Sequence, residues 1–336
     1  MKPYLVDVPV AIQAFIRPEQ LAKQWEVIKQ ARPSILFVRS DGPRDHVPTD
    51  AELICQSRAI TEDVDWDCTV YRLYEEKNIG MYGMSNKCTP IIWSKVDRCI
   101  FLEDDQVPSV SYFQFCAELL ERYKDDLRID RITGVNLCEK WEETPDDYFF
   151  ARVPASSGIA TWRRTFESQD TELVFGKNSY VMKHIKRNLP WYLRKQFISF
   201  AETGTYANHV PASEFYTRHA EYLQNKLIIV PKFNLIANNG VGSGSTHTGK
   251  NMLAMPKQLQ RQYGMKIYEY EFPLKHPSFI FPDLQFEKER EMQLGVASRW
   301  QNWWRSVERI VRLIISGEVK KLFAGIKKRL NKSVEK

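Results

Sequence analysis

The chain has 336 residues, 43% hydrophobic and 27% charged, a globular composition with room for one large α/β domain or two smaller ones. Its formal charge of +6 is local: residues 299–336 hold 11 Lys/Arg against 3 Glu and the remainder 37 against 39 Asp/Glu, which excludes a nucleic-acid-binding body. Six cysteines without a CxxC pair exclude a zinc ribbon and argue for reduced thiols of a cytosolic protein, and neither a signal-peptide core at the N-terminus nor a bilayer-spanning apolar run is present.

In chain order, Val8 to Ile16 reads as a strand closed by Arg17 and Pro18, with Pro18 opening a helix on which Leu21, Trp25, Ile28 and Ala31 share a face. Ser34 to Val38 is a second strand, followed by a turn over Ser40, Asp41, Gly42 and Pro43. Asp50 is positioned to cap a helix through about Val64, Thr69 to Tyr74 is a third strand broken at Asn78, Ile79 and Gly80, and Ser85 to Val96 is helical. Cys99 to Leu102 is a short apolar run that ends on Glu103, Asp104 and Asp105. An amphipathic helix carries Tyr112, Phe115, Leu119 and Leu120 to about Asp126, and Arg131 to Leu137 suggests another strand.

Strands alternating with helices of this length predict βαβ units and a Rossmann-like, mostly parallel sheet flanked by helices. Right-handed crossovers then gather Arg17, Asp41 and the acidic triplet on one rim, where ligands of open α/β sheets bind. Three adjacent carboxylates suit a hard cation such as Mg²⁺ or Mn²⁺ bridging a diphosphate; alone, such a triplet equally reads as a solvated turn. No GxGxxG follows the first strand, which weakens a dinucleotide oxidoreductase reading. Residues 139–225 are less periodic, with a distinctive run from Ser156 to Arg164. Leu227 to Pro231 is a strand leading to the Gly/Ser-rich stretch 238–249, a connector by composition or a lid over phosphates.

Five stretches together, Phe15 to Glu19, Ser40 to Arg44, Phe101 to Asp105, Ala160 to Arg164, and Asn234 to Asn238 continuing to Ser245 through Thr248, carry a resemblance. The chain resembles bacterial GT-A fold nucleotide-diphospho-sugar transferases, the hemolytic-protein-like glycosyltransferase group, and is more distantly similar to N-acetylglucosaminyltransferase I. The resemblance covers residues 8 to about 250. It implies that the triplet is a DXD-type motif, with Asp105 on Mn²⁺ (or Mg²⁺) and Glu103 and Asp104 toward sugar, ribose or metal-bound water. Arg17 and Asp41 match positions near the nucleotide, Asp41 as an acceptor for a uracil-like base; a solvated charge and a simple turn are the alternatives for the two. In the family a catalytic Asp precedes the Val-Pro strand end by a fixed interval. The same count back from Val230 and Pro231 reaches Glu214, which is either the base or an exposed helix-start residue. His247 and one of Arg163 and Arg164 would stabilise the leaving diphosphate, although His247 also reads as an exposed loop residue.

The implied organisation is a nucleotide-sugar-binding half at 1–138, an acceptor and catalytic half at 139–285, and a C-terminal amphipathic tail at 286–336. In the tail Trp300, Trp303, Trp304, Val307, Ile310, Val311 and Ile314 recur at helical spacing among many Lys and Arg, a pattern suited to an anionic membrane surface through residues 299–330 or to packing on the domain. The expectation is a metal-dependent inverting glycosyltransferase moving a sugar from a nucleotide-diphosphate donor, preferably a UDP-sugar, to a hydroxyl of a cell-surface glycan or glycolipid acceptor. It would sit in the cytoplasm, peripheral at the inner face of the membrane. The alternatives are a metal-dependent nucleotidyltransferase or phosphohydrolase, and a non-catalytic degenerate transferase that binds membrane.

Overall fold

A computed structural model describes residues 1–152, 157–205, 213–240 and 252–318; the side chains of 213 and 214 lie outside it. The first half alternates as expected: β1 (Val6–Gln13), α1 (Pro18–Ala31), β2 (Pro33–Ser40), α2 (Asp50–Ile60), β3 (Thr69–Tyr74), α3 (Gly80–Lys95) and β4 (Arg98–Leu102). There follow β5 (Gln106–Pro108), α4 (Ser111–Arg122), β6 (Ile129–Thr133), β7 (Tyr148–Ala151), β8 (Ile159–Trp162) and α5 (Arg163–Glu167). Then come α6 (Ser179–Asn188), α7 (Trp191–Thr203), α8 (Ser213–Leu223), β9 (Leu227–Pro231), β10 (Ile236–Asn238), α9 (Lys257–Gln260), α10 (Leu284–Gln293) and α11 (Arg299–Ile315).

Eight strands form one sheet in the order β3-β2-β1-β4-β8-β6-β9-β7, with β1, β2, β3 and β4 mutually parallel. β6 and β9 are parallel to each other, while β8 and β7 run against their neighbours. The fold is thus α/β with a Rossmann-like, mostly parallel sheet, and strands from 1–138 and 139–285 share that sheet. Both faces are covered, so the strands alternate between two cores. Val10 and Ile12 meet Leu21, Trp25 and Ile28 of α1 and Phe115 and Leu119 of α4; Ala11, Phe37 and Cys99 meet Ile92 and Trp93 of α3. All six cysteines are free.

Several boundaries differ from those the sequence suggests. Asp50 begins α2 without capping it: its carboxylate takes Arg44 Nε at 2.6 Å and Nη2 at 2.8 Å, which pins the preceding loop. The helix then stops at Ile60, where the Thr61 hydroxyl donates to the Arg58 carbonyl. The strand around Arg131 ends at Thr133, because Asn136 turns the chain by accepting from Cys138 N and donating to the Pro231 and Lys232 carbonyls. α3 starts five residues earlier than its apolar pattern, at Gly80, whose φ of +76° suits glycine.

Candidate functional site

The chain passes from β1 outward to β2 and β3, then returns to place β4 on the other side of β1. That reversal is a topological switch point, and the crevice beyond the strand ends there is the ligand site of open α/β sheets. Arg17 follows β1 and the acidic triplet follows β4, so both stand on this crevice. Arg17 Nη1 lies 3.1 Å from Asp104 Oδ1 and 2.8 Å from Asp105 Oδ2. Gln24, on the buried face of α1, holds the acidic turn from below: its Nε2 donates to the carbonyls of Glu103 at 2.7 Å and Gln106 at 2.6 Å. Gln106 Oε1 accepts in return from the Glu103 and Gly158 amides. The turn is therefore fixed by side chains from three elements.

One guanidinium here faces two carboxylates. Burial pushes Asp104 up to about 7; the Arg17 charge opposes the rise and the Asp105 carboxylate adds to it. Asp105 Oδ1 is buried with no hydrogen-bond partner among the described residues, an arrangement that costs free energy unless something completes it. Backbone closes in on the same residue: Asn239 N donates to the Asp105 main-chain carbonyl at 2.8 Å, and a Cβ on Gly240 would stand 2.2 Å from the carboxylate oxygen Oδ2. Among the described residues no three His, Cys, Asp or Glu side chains converge as a complete cation cage. The residues do fit a Mn²⁺ or Mg²⁺ that takes one protein carboxylate oxygen and completes its shell with diphosphate oxygens and water. Asp105 Oδ1 is the atom that would hold it. Glu103 is exposed at the edge of the cluster.

Asp41 stands on the same rim with its carboxylate already saturated. Its Oδ1 accepts from Gly42 N and Ile79 N, both at 2.9 Å, and its Oδ2 from Asn78 Nδ2 at 3.0 Å and Gly80 N at 2.8 Å. A carboxylate offers about four lone-pair sites, so none is left for a base. The expected uracil contact is corrected to a clamp that ties the loop after β2 to the start of α3. The clamp needs glycine at 42, where a Cβ would sit 2.5 Å from the backbone of Glu76 and Lys77.

Arg163 is also corrected. β8 runs antiparallel to β4, pairing Ile159 with Phe101 and Trp162 with Arg98, so Arg163 reaches the end of the sheet opposite the triplet. There its Nε and Nη2 donate to the Val96 carbonyl at 3.2 and 3.0 Å. Arg164 donates to the carbonyls of Tyr123, Lys124, Asp126 and Ile129. The distinctive Ala160 to Arg164 run is a staple of backbone carbonyls, not a phosphate site.

Glu214 is the second residue of α8, and its side chain is outside the described residues. Its neighbour Phe215 packs edge-on against Tyr82 at 6.2 Å, which sets the start of α8 beside the start of α3 on the Asp41 rim. His247 lies wholly outside the described residues. Sequence reasoning missed Gln24, Gln106 and Asn78. Gln24 carried a usable sign, a polar residue at the spacing of Leu21 and Ile28 on a buried helix face; Gln106 and Asn78 carried none beyond following a strand.

No family model matches the chain, and no curated protein matches it. Among solved structures, a UDP-glucose pyrophosphorylase complexed with UDP-glucose is 10% identical with a TM-score of 0.34, over 68% of this chain and 91% of the other. An apo UDP-glucose pyrophosphorylase is 9% identical at a TM-score of 0.36, over 69% and 93%. The UTP-bound enzyme from Acinetobacter baumannii is 8% identical at 0.34, over 69% and 88%. Likeness this low leaves the site's chemistry to the chain's own residues.

Proposed function

We propose that this chain is a metal-dependent inverting glycosyltransferase that uses a nucleotide-diphospho-sugar, preferably a UDP-sugar. The observation that carries the reading is the Asp105 carboxylate at the switch point: one oxygen on Arg17, the other buried without a partner among the described residues, with Gly240 laid against the carboxylate and Asn239 N on the same residue's main-chain carbonyl. The order of motifs along the sequence supports the same reading. A divalent cation on Asp105 would supply the positive charge that a departing diphosphate needs.

The chain's own residues do the rest. Arg17 keeps both aspartates in place and balances part of their charge. Asp41 holds the two loops that form the floor for the nucleotide. Glu214 accepts the proton of an acceptor hydroxyl as that oxygen bonds to the anomeric carbon. The bond from that carbon to the diphosphate oxygen breaks on the opposite side, its electron pair leaves with the nucleoside diphosphate, and the configuration inverts.

The acceptor in this reading is a glycan or glycolipid, and α11 bears on where the enzyme meets it. The helix is held to the body by its polar side: Glu308 accepts from the Lys257 amide, Arg312 donates to the Leu253 carbonyl, Arg305 donates to the Leu294 carbonyl, and Leu313 is its one buried apolar residue. Its apolar stripe is left outside, with Trp300 63%, Trp303 51%, Trp304 52% and Ile314 54% exposed. Tryptophan beside the exposed Arg299 and Arg309 suits the interface of an anionic bilayer. No described helix is long and apolar enough to cross a membrane.

The test is a donor panel with Mn²⁺ and a membrane glycolipid extract, followed by product analysis for anomeric configuration. The reading expects transfer with inversion, and Glu214→Gln retaining donor binding while losing transfer. Release of nucleotide without any sugar transfer would contradict it.

A further inference from the structure

A cavity of about 650 Å³ is built by β6, α6, α7, α8, α10 and the chain around β10, the size of a small-molecule site. Its polar lining carries an excess of positive charge. Arg131 pairs with Glu221, Arg152 with Glu287, and Lys226 with Asp130 beneath it, while Glu291 accepts from Tyr192 at 2.9 Å. Arg218 and Arg290 add two further guanidinium groups. Arg218 makes no ion pair among the described residues and is exposed to the cavity mouth. Arg290 is only 8% exposed; burial works against its charged form, Tyr192 and the Glu291 carboxylate beside it favour that form, and the like charge of Arg218 opposes it. Burial raises the Glu221 carboxyl, and the Arg131 charge paired with it opposes that rise.

The rest of the lining is aromatic and amide-bearing, with Tyr192, Tyr222, Tyr263 and Asn188 among it. Aromatic faces and amides are the groups on which a sugar ring stacks and hydrogen-bonds. Asn238 lines the cavity; its Oδ1 accepts from Gly240 N, and its successor Asn239 donates to the Asp105 carbonyl. A molecule seated against Asn238 is thus one residue along the chain from the backbone that contacts the acidic turn.

We propose that this cavity is the acceptor site, and that it takes a saccharide carrying an oxyanion, phosphate or carboxylate, which lies between Arg218 and Arg290. The assignment rests on the glycosyltransferase reading for the word acceptor, but the binding of an anionic saccharide does not. Guanidinium groups meet such oxyanions through paired, charge-assisted hydrogen bonds. The opposite end of the saccharide then points a hydroxyl along β10 toward the donor.

Calorimetric titration of the full chain with glucose 6-phosphate, glucuronate and glucose tests this. Either anionic sugar should bind at least about tenfold more tightly than glucose, and Arg218→Gln should weaken it by about tenfold or more, the range of one charge-assisted hydrogen bond. Which anionic sugar binds identifies the oxyanion. A separate titration with UDP-sugar and Mn²⁺ should be unchanged in Arg218→Gln, which rules out capture of the phosphate at the donor site. Arg290→Gln, checked for an intact melting transition, should lose the anion preference as well. Equal affinity for glucose, binding unaffected by Arg218→Gln, or no binding of either anionic sugar overturns the proposal. Anionic-sugar binding without any UDP-sugar binding leaves the cavity assigned and overturns the transferase reading instead.

Discussion

Replacing Arg17 by methionine removes the only cation that faces Asp104 and Asp105 among the described residues while keeping most of the side chain's volume. The three side chains are 12%, 10% and 12% exposed, so the pair lies closer to a buried than to a surface salt bridge. Removing one partner of a buried pair costs about 3–5 kcal/mol, because the remaining charge stays desolvated. Arg17→Met should therefore lower unfolding free energy by about that much at pH 8, measured by urea denaturation. Asp104 is pushed up to about 7 even with Arg17 present. At pH 5 it is protonated, one carboxylate fewer is left unpaired, and the loss should shrink. Arg17 also repels a divalent cation at Asp105, so Mn²⁺ should raise the stability of Arg17→Met more than that of the parent chain. A loss below about 1 kcal/mol, the level of a surface pair, or a loss independent of pH would refute the charge balance described for this site.

Gly240→Ala should weaken metal-dependent donor binding by tenfold or more with an unchanged circular dichroism spectrum, since the new methyl falls 2.2 Å from Asp105 Oδ2; donor titration checks it, and unaltered affinity would contradict the close approach. His219 is buried against Phe197, its ring stacked at 3.6 Å with Nδ1 2.8 Å from the Phe215 carbonyl, and burial lowers its pKa to about 4. The unfolded chain takes up that proton near pH 6.5, so stability should fall as pH drops from 6.5 to 4, by about 3 kcal/mol for this one group. Urea midpoints of the parent and His219→Gln across that range should converge toward pH 4; parallel curves would exclude His219 as a source. Trp300→Ser combined with Trp303→Ser should abolish sedimentation with anionic liposomes without altering donor binding, and undiminished sedimentation would remove α11 from the interface.

The sheet was legible because both its faces are covered, so β1, β2 and β4 read as near-continuous apolar runs and α1 and α4 as amphipathic helices. The acidic turn was legible because three carboxylates at a strand end violate ordinary composition. What the sequence concealed is direction and partner. Ala160 to Arg164 looks like a functional motif, yet its arginines sit at the far end of the sheet because β8 runs antiparallel, which no local propensity encodes. Asp41 lies on the expected rim, but four donors saturate it, three of them on residues 78 to 80; such a contact is set by tertiary packing. The helices between Ser179 and Leu223 carry short apolar stripes that form their own small core with Phe175, Ile185 and Phe197, too brief to stand out from a charged background. In α11 the apolar stripe was plain in the sequence, while its exposure rests on the polar contacts of Arg305, Glu308 and Arg312 with the body.

Whether Asp105 closes a metal-dependent nucleotide-sugar site, as proposed, is decided by a thermal-shift titration of UDP-sugars with and without Mn²⁺ on the parent chain and Asp105→Asn. A ligand that binds only the folded state raises its apparent stability, by about 2.7 kcal/mol at a hundredfold excess over Kd. The account predicts a shift that needs both sugar nucleotide and Mn²⁺ and is absent in Asp105→Asn. A shift of equal size without Mn²⁺, or one that survives in Asp105→Asn, would contradict it.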